Sequence, residues 1–212
     1  MGNVDIRGLQ RFTGGGEAEV NIGADKQKNL LVAQGNPPYA EVRRRGDAWT
    51  VFTTTAITPL AARPTTTARL ELYNNGARAA VVSDLHAWRL LGTAVGVGEV
   101  LFAMLTKKAV PTLTAQALYS LSGKDLITPV VTSEMVTGIG TTVVENGWQP
   151  YGPPAGYLAA ATPGAGWSVP IDGKLQIYPG MSLCLQIVAS VATASAFHIG
   201  VTWDWVTMSV EA

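Results

Sequence analysis

The stretch from residue 197 to residue 205 alternates strictly between two kinds of side chain. The odd-numbered positions carry Phe197, Ile199, Val201, Trp203 and Trp205, and the even-numbered positions carry His198, Gly200, Thr202 and Asp204. Successive side chains of a β-strand point to opposite faces of the sheet, so this period of two predicts a strand. We expect the apolar row to pack in a core and the other row to meet water or a partner.

Similar strand-like segments recur from residue 67 to the C-terminal region. They are 68–73, 77–91, 99–106, 112–121, 129–136, 141–144, 167–171, 175–178, 182–188 and 196–206, with turn-forming residues between them. Residues 113–121 have a spacing that would also suit a helix, but alternation of Thr, Tyr and Leu favours a strand. Many short strands without a convincing long helix predict an all-β domain, a jelly-roll-like β-sandwich, over residues 67–212.

One of the predicted turns has a specific geometry. The segment Asn74-Asn75-Gly76 follows the alternating residues 68–73 and precedes another apolar-rich segment. Asn-Gly readily supplies the two positive φ angles of a type I′ turn. The sequence therefore predicts a tight hairpin between these two strands.

Residues 1–66 differ from the rest of the chain. Gly14-Gly15-Gly16, Asn36-Pro37-Pro38 and Arg63-Pro64 interrupt them, and only short apolar pieces lie between. This pattern predicts an extended N-terminal arm, or a small β extension, that makes a few strand pairings. The run Arg43, Arg44 and Arg45 is interpreted as a solvated loop, or else as an anchor onto an acidic protein surface or nucleic acid.

The composition limits the partners of the chain. Hydrophobic residues make up 47% of the chain and charged residues only 14%, compared with about 25% charged residues in ordinary domains. The formal net charge is zero, which argues against a nucleic-acid partner. No apolar run is long enough for a membrane span. The apolar excess is expected to go into a core or into protein–protein contacts. Cys184 is the single cysteine, so a disulfide framework is excluded, and the N-terminus lacks the pattern of a signal peptide.

The residues that carry chemistry do not form a recognisable catalytic pattern. The chain has two histidines. His86 shares one side of a predicted strand with Asp84, but no Gly-x-Ser-x-Gly motif supplies a nucleophile. One cysteine and two scattered histidines make a poor zinc site, and the Gly-x-Gly pieces at 96–98 and 138–140 lack the rest of a phosphate-binding motif. We expect no enzymatic activity, no cofactor and no metal.

A segment rich in Gly, Pro and Ala lies between Asn146 and Gly166. Loops of this length in compact domains are usually functional. It carries Trp148, Tyr151 and Tyr157, whose large rigid rings suit interface anchors. The candidate partner contacts are therefore Arg43, Arg44, Arg45, Trp148, Tyr151 and Tyr157.

The strands on either side of this loop resemble a known family. The stretch "ELYNNGARAAVVSDLHAW" and the ending "IDGKLQIYPGMSLCLQIVASVATASAFHIGVTWDWV" are similar to the opening and closing strands of small jelly-roll proteins encoded among the structural genes of tailed phages. The resemblance covers roughly residues 67–210. It implies a capsid cement or decoration protein, commonly a homotrimer, that binds the major capsid protein between its subunits and stabilises the phage head. The implied location is the capsid surface of the virion, after assembly in the host cytoplasm.

Two other functions stay open on the same fold. One is a receptor- or glycan-binding module of a phage tail or head fibre, which predicts an exposed cluster among Trp148, Tyr151, Tyr157 and Trp167. The other is a capsid-forming jelly roll, which predicts self-assembly with Arg43–Arg45 facing nucleic acid.

Overall fold

The computed structural model describes twelve stretches of the chain. They are residues 7–11, 17–21, 23–24, 30–31, 40–92, 99–107, 115–122, 126–127, 134–143, 147–151, 166–189 and 195–206. The chain divides into two compact units, Met1–Glu41 and Val42–Ala212. In the first unit β1 (Arg7–Arg11) pairs antiparallel with β2 (Glu17–Asn21), and β3 (Gly23–Ala24) pairs with β4 (Leu30–Leu31).

The second unit is built almost entirely of strands. After a short helix, α1 (Ala40–Arg45), come β5 (Ala48–Phe52), β6 (Thr67–Ala68), β7 (Leu70–Asn74), β8 (Ala79–Gly92), β9 (Val100–Thr106), β10 (Leu118–Ser120), β11 (Leu126–Ile127), β12 (Met135–Gly138), β13 (Thr141–Thr142), β14 (Gln149–Tyr151), β15 (Gly166–Pro170), β16 (Gln176–Ile177), β17 (Ser182–Val188) and β18 (Ser195–Val206). The prediction of an all-β sandwich is confirmed.

The strand order is that of a jelly roll. The larger sheet has the order β11-β10-β5-β18-β8-β15, with β16 also paired to β8, and the smaller sheet has the order β12-β7-β17-β9-β14. Eight of these strands, β5, β7, β8, β9, β14, β15, β17 and β18, can be numbered one to eight along the chain. They then follow the orders 1-8-3-6 in one sheet and 2-7-4-5 in the other, which is the double Greek key of a jelly roll.

The core lies between the two sheets. The odd-numbered row of β18 from Phe197 to Trp205 is buried, as the alternation of the sequence predicts. It packs with buried side chains of the smaller sheet, among them Leu70, Leu72, Leu183, Leu185 and Ile187. Burial of this apolar area, at about 25 cal/mol per Å², is the main force that holds the sheets together.

The predicted boundary at residue 66 is wrong. Strand β5 lies inside the larger sheet between β10 and β18, and Val51 is fully buried in the core. The following chain stays attached as well, because the amide of Ile57 donates to the carbonyl of Phe197 at 2.8 Å and that of Leu60 donates to the carbonyl of Ile187 at 2.9 Å. Residues 42–66 therefore belong to the sandwich unit, despite their Gly and Pro punctuation.

The predicted hairpin at Asn74–Gly76 is also wrong, because β7 and β8 lie in different sheets. The Asn74 side chain stabilises a corner between them, since its Nδ2 donates to the carbonyls of Arg78 at 2.8 Å and Ile177 at 2.7 Å. The adjacent positive φ angles that such a turn needs occur instead at Asp172 (51°) and Gly173 (77°). That turn lies between β15 and β16, which both pair with β8.

Candidate functional site on the outer face of the large sheet

The outer face of the larger sheet carries the even-numbered row of β18. Gly200 lies opposite Phe52 of β5 on one side and His86 of β8 on the other. Ser168 of β15 follows in the same row, opposite His86. Cross-strand neighbours are close enough for their side chains to interact, so four strands place this row in register.

Two aromatic rings of this face lie over glycines. A Cβ at Gly200 would come within 2.4 Å of the Phe52 ring, and a Cβ at Gly166 would come within 2.9 Å of Trp88. Phe52 also packs against His86, at 5.3 Å between ring centroids, and edge-on against Trp88 at 6.3 Å. The missing side chains of the two glycines therefore let the rings lie down on the sheet.

His86 is the centre of a hydrogen-bonded chain. Its Nδ1 lies 2.7 Å from Ser168 Oγ, and its Nε2 lies 2.9 Å from Thr202 Oγ1. Burial lowers the pKa of His86, and the negative charge of Asp84 raises it by less. The imidazole is therefore neutral at neutral pH, with one ring nitrogen donating and the other accepting.

The hydrogen bonds from Ser168 through His86 to Thr202 do not have the geometry of a catalytic triad. A serine nucleophile needs a histidine whose second nitrogen is oriented by a carboxylate. In this protein the second nitrogen of His86 faces the hydroxyl of Thr202. The arrangement instead offers fixed hydroxyl groups at a surface, which can bind a polar ligand. Across the residues that the structure describes, no cluster of His, Cys, Asp or Glu is suited to hold a metal ion.

A shallow groove of about 210 Å³ opens beside these hydrogen-bonded side chains. Its lining consists of Trp88, Gly166, Trp167 and Ser168. Trp88 is 49% exposed. Trp167 is partly buried, and its ring packs edge-on against Phe197 with 6.3 Å between centroids. The groove therefore joins a large accessible aromatic surface to a hydroxyl group.

The prediction that Trp148 contacts a partner is wrong. It is only 1% exposed and packs on the outer face of the smaller sheet with Ala68, Met104, Val143 and Cys184. The sequence suggested an exposed ring because Gly and Pro surround it. In the fold, Trp148 directly precedes β14 at the edge of the smaller sheet, and its indole packs with the side chains of this cluster. Trp148 is therefore a core residue of this unit and has no surface to offer a partner.

The other predicted contact residues are not gathered in one place. Arg43 and Arg45 are exposed on α1, in a helix rather than the predicted loop, and only the backbone of Arg44 is described. Arg45 Nε lies 3.9 Å from Asp47 Oδ2. Tyr151 is partly buried in β14, where burial raises the pKa of its phenol. Tyr157 lies outside the described residues.

Sequence reasoning missed the aromatic part of the outer face. The available signal was the parity of β8, in which Asp84, His86 and Trp88 alternate with the fully buried Leu85 and Ala87. The partners on β5 and β15 could not be found in this way, because strand order determines which residues become neighbours.

The fold and this face together define a jelly-roll module with an aromatic and hydroxyl-bearing surface. No family model, curated protein or solved structure matches the chain. Among the described residues, the structure contains no helix with the length and apolar character to span a membrane.

The smaller sheet carries a buried acid whose titration can be tested. Glu71 is fully buried. Burial raises its pKa, while the nearby side chains of Thr141 and Ser182 lower it by less. The folded protein therefore binds this proton more tightly than the unfolded chain, so stability is lost as pH rises from the unfolded pKa through the folded one.

We expect Glu71→Gln to remove this pH-dependent loss. The variant should gain stability over the wild type at pH 8, and the gain should shrink towards pH 4. Urea unfolding of both proteins across this range measures the difference. The exposed Glu134, changed to Gln, serves as the control. A Glu71→Gln effect that is the same at both pH values would contradict a raised pKa.

Proposed function

We propose that the protein is a structural decoration or cement protein of a tailed-phage capsid. It binds between subunits of the major capsid protein on the outside of the virion and stabilises the head. The observation that carries the proposal is the jelly-roll strand order of the two sheets. This order is characteristic of capsid and lectin domains, so the support is an analogy of fold.

Exposed apolar side chains on the large sheet add to this support. Tyr119 is 46% exposed and Leu121 is 38% exposed, at the β10 end of the sheet. A rigid sandwich that presents such side chains suits a contact repeated at many equivalent sites, where weak bonds sum by avidity. Homotrimeric assembly in the host cytoplasm would further multiply the contacts.

The full-length protein should bind preassembled shells. We expect light scattering to give about three times the chain mass of 22.3 kDa, and the protein to cosediment at saturable stoichiometry with empty shells of the major capsid protein from the same genome. Tyr119→Asp should weaken cosedimentation, whereas Tyr178→Asp, at the other edge of the sheet, serves as a matched exposed control. Failure of the full-length protein to cosediment would contradict the proposal.

The N-terminal unit can be tested in the same assay. A deletion should end at residue 39, because removal of residues 1–60 would take β5 out of the large sheet. If the arm anchors the protein, the shortened chain should stay folded by circular dichroism but lose cosedimentation. Undiminished shell binding by the shortened chain would remove the arm from the proposal.

A second candidate function is a receptor- or glycan-binding module of a phage tail or head fibre. The exposed cluster expected for it does not form around Trp148, which is buried. Its support is the groove beside Trp88, where an exposed indole lies next to hydrogen-bonding side chains. The jelly roll is also a lectin fold.

A further inference from the structure

The groove beside Trp88 has two chemically different walls. One wall is the indole of Trp88, about half of which is open to solvent. The other wall includes the hydroxyl of Ser168, which belongs to the chain through His86 to Thr202. A ligand that fits such a groove needs an apolar face and hydroxyl groups at its edge.

We propose that this groove binds one ring of a neutral pyranose sugar. The ring would lie with its C–H face on the indole of Trp88 and with a hydroxyl group on Ser168. This inference deepens the second candidate function and rests on it, while shell binding is independent of it.

The position of the indole favours stacking. Trp88 lies against the backbone of Gly166, where a Cβ would be only 2.9 Å from its Cγ atom. The edge-on contact with Phe52 packs it from the side. An aromatic ring that is held in place loses little conformational entropy on binding, and its electron-rich face attracts the polarised C–H bonds of a sugar.

The hydroxyl of Ser168 is also held in place. Its hydrogen bond of 2.7 Å to His86 Nδ1 uses one of its three hydrogen-bonding positions. The bond of 2.9 Å from His86 Nε2 to Thr202 ties the imidazole to β18. Ser168 remains exposed, so its remaining positions are available to a sugar hydroxyl, which likewise both donates and accepts.

The charges around the groove select for a neutral sugar. Its described lining, Trp88, Gly166, Trp167 and Ser168, includes no basic side chain. The charge that acts on His86 is the negative one of Asp84. The half-buried Arg78 forms ion pairs with Asp47 and Glu134 instead. Among the described residues that line the groove, a sugar carboxylate would find no cation with which to pair.

The test uses the full-length protein with ¹⁵N-labelled tryptophan. The probes are methyl β-galactopyranoside and methyl β-glucopyranoside as neutral sugars and N-acetylneuraminic acid as the acidic sugar. Trp88→Phe assigns the indole signal of Trp88. We expect at least one neutral glycoside to shift that signal saturably with millimolar affinity, as is usual for a small ligand in an open groove, and the acidic sugar to leave it unchanged.

Three variants separate the site from the rest of the surface. With binding followed through the indole signal of Trp167, which also lines the groove, Trp88→Ala should weaken binding about tenfold through loss of stacking, and Ser168→Ala should weaken it by a smaller factor. Tyr119→Ala keeps the groove intact and should bind as the wild type does. Each variant changes an exposed side chain, so its fold can be checked by its unfolding midpoint.

Each of the other outcomes would overturn one named part of the sugar-binding proposal. Binding of the acidic sugar alone would overturn the neutral class but leave a glycan-binding module. Binding that survives Trp88→Ala would overturn this groove as the site. If neither neutral glycoside nor the acidic sugar shifts any tryptophan signal, the inference and the second candidate function both fail, while the capsid proposal stands.

Discussion

The variant Glu99→Gln should lose about 3–5 kcal/mol of unfolding free energy, because it strands a buried positive charge. Glu99 precedes β9 of the smaller sheet, and it forms an ion pair with Arg89 of the larger sheet. The two residues are 4% and 1% exposed. With Glu99 neutral, the guanidinium of Arg89 would remain out of water, and among the described residues the Phe197 ring, 5.9 Å from its Cζ, would be left to offset the charge.

Replacement of both members of the buried ion pair should rescue the stability that Glu99→Gln loses. Among the described residues, Nε and Nη1 of Arg89 have no hydrogen-bond partner. A buried pair that is incompletely hydrogen-bonded stabilises a fold little compared with apolar residues of similar size. The double variant Arg89→Met with Glu99→Leu should therefore recover most of the lost stability.

An exposed ion pair of the same chain serves as the matched control. Arg78 Nη2 lies 2.5 Å from Glu134 Oε2, and the two side chains are 32% and 46% exposed. Glu134→Gln should cost less than about 1 kcal/mol. Urea unfolding of the four proteins measures these differences. Equal costs for Glu99→Gln and Glu134→Gln would mean that the Arg89–Glu99 pair is solvated and does not bridge the sheets inside the sandwich.

The sequence predicts a strand well where one face of it is buried. In β18 the local alternation names the five core residues correctly, because burial of one face is recorded in every second position. The fold class follows from the number and length of such segments. Arg89 breaks the same rule, since a charged residue occupies an inward position that only its partner Glu99 makes tolerable.

The sequence predicts poorly which segments meet. Strand β5 is isolated between stretches rich in Gly, Pro and Arg, so its place in the centre of the large sheet depends on distant partners. The segment Asn74–Gly76 has the composition of a hairpin turn. Its conformation is decided by the bonds of Asn74 to Ile177 and of Gly76 to Glu134, which no local pattern records.

The candidate site likewise contains features that the local sequence predicts and features that depend on strand pairing. The outward position of His86 and Trp88 follows from the parity of β8, but the groove needs Ser168 from β15 and Phe52 from β5. The two glycines beneath the rings, Gly166 and Gly200, are informative only after the pairing is known. The composition of the sequence points to Trp148 instead, because its loop is rich in Gly and Pro.

The variant Trp148→Ala distinguishes a core residue from a contact residue and should lower the unfolding free energy by about 3–5 kcal/mol. The indole is 1% exposed and packs in the apolar cluster on the outer face of the smaller sheet. Its removal leaves a cavity against Met104 and Cys184, and the neighbouring backbone is held by a bond of 2.9 Å from Arg63 Nη2 to the Trp148 carbonyl. That bond limits collapse into the space.

Trp88→Ala is the control for this prediction, because it removes the same side chain from a position that is 49% exposed. It should cost about 1 kcal/mol or less. Trp148→Phe should fall between the two, since a smaller ring fills part of the cavity. Urea unfolding followed by circular dichroism compares the variants without relying on tryptophan fluorescence. If Trp148→Ala proved as mild as Trp88→Ala, the indole would not be packed in this cluster in solution, and Trp148 would again be a side chain available to a partner.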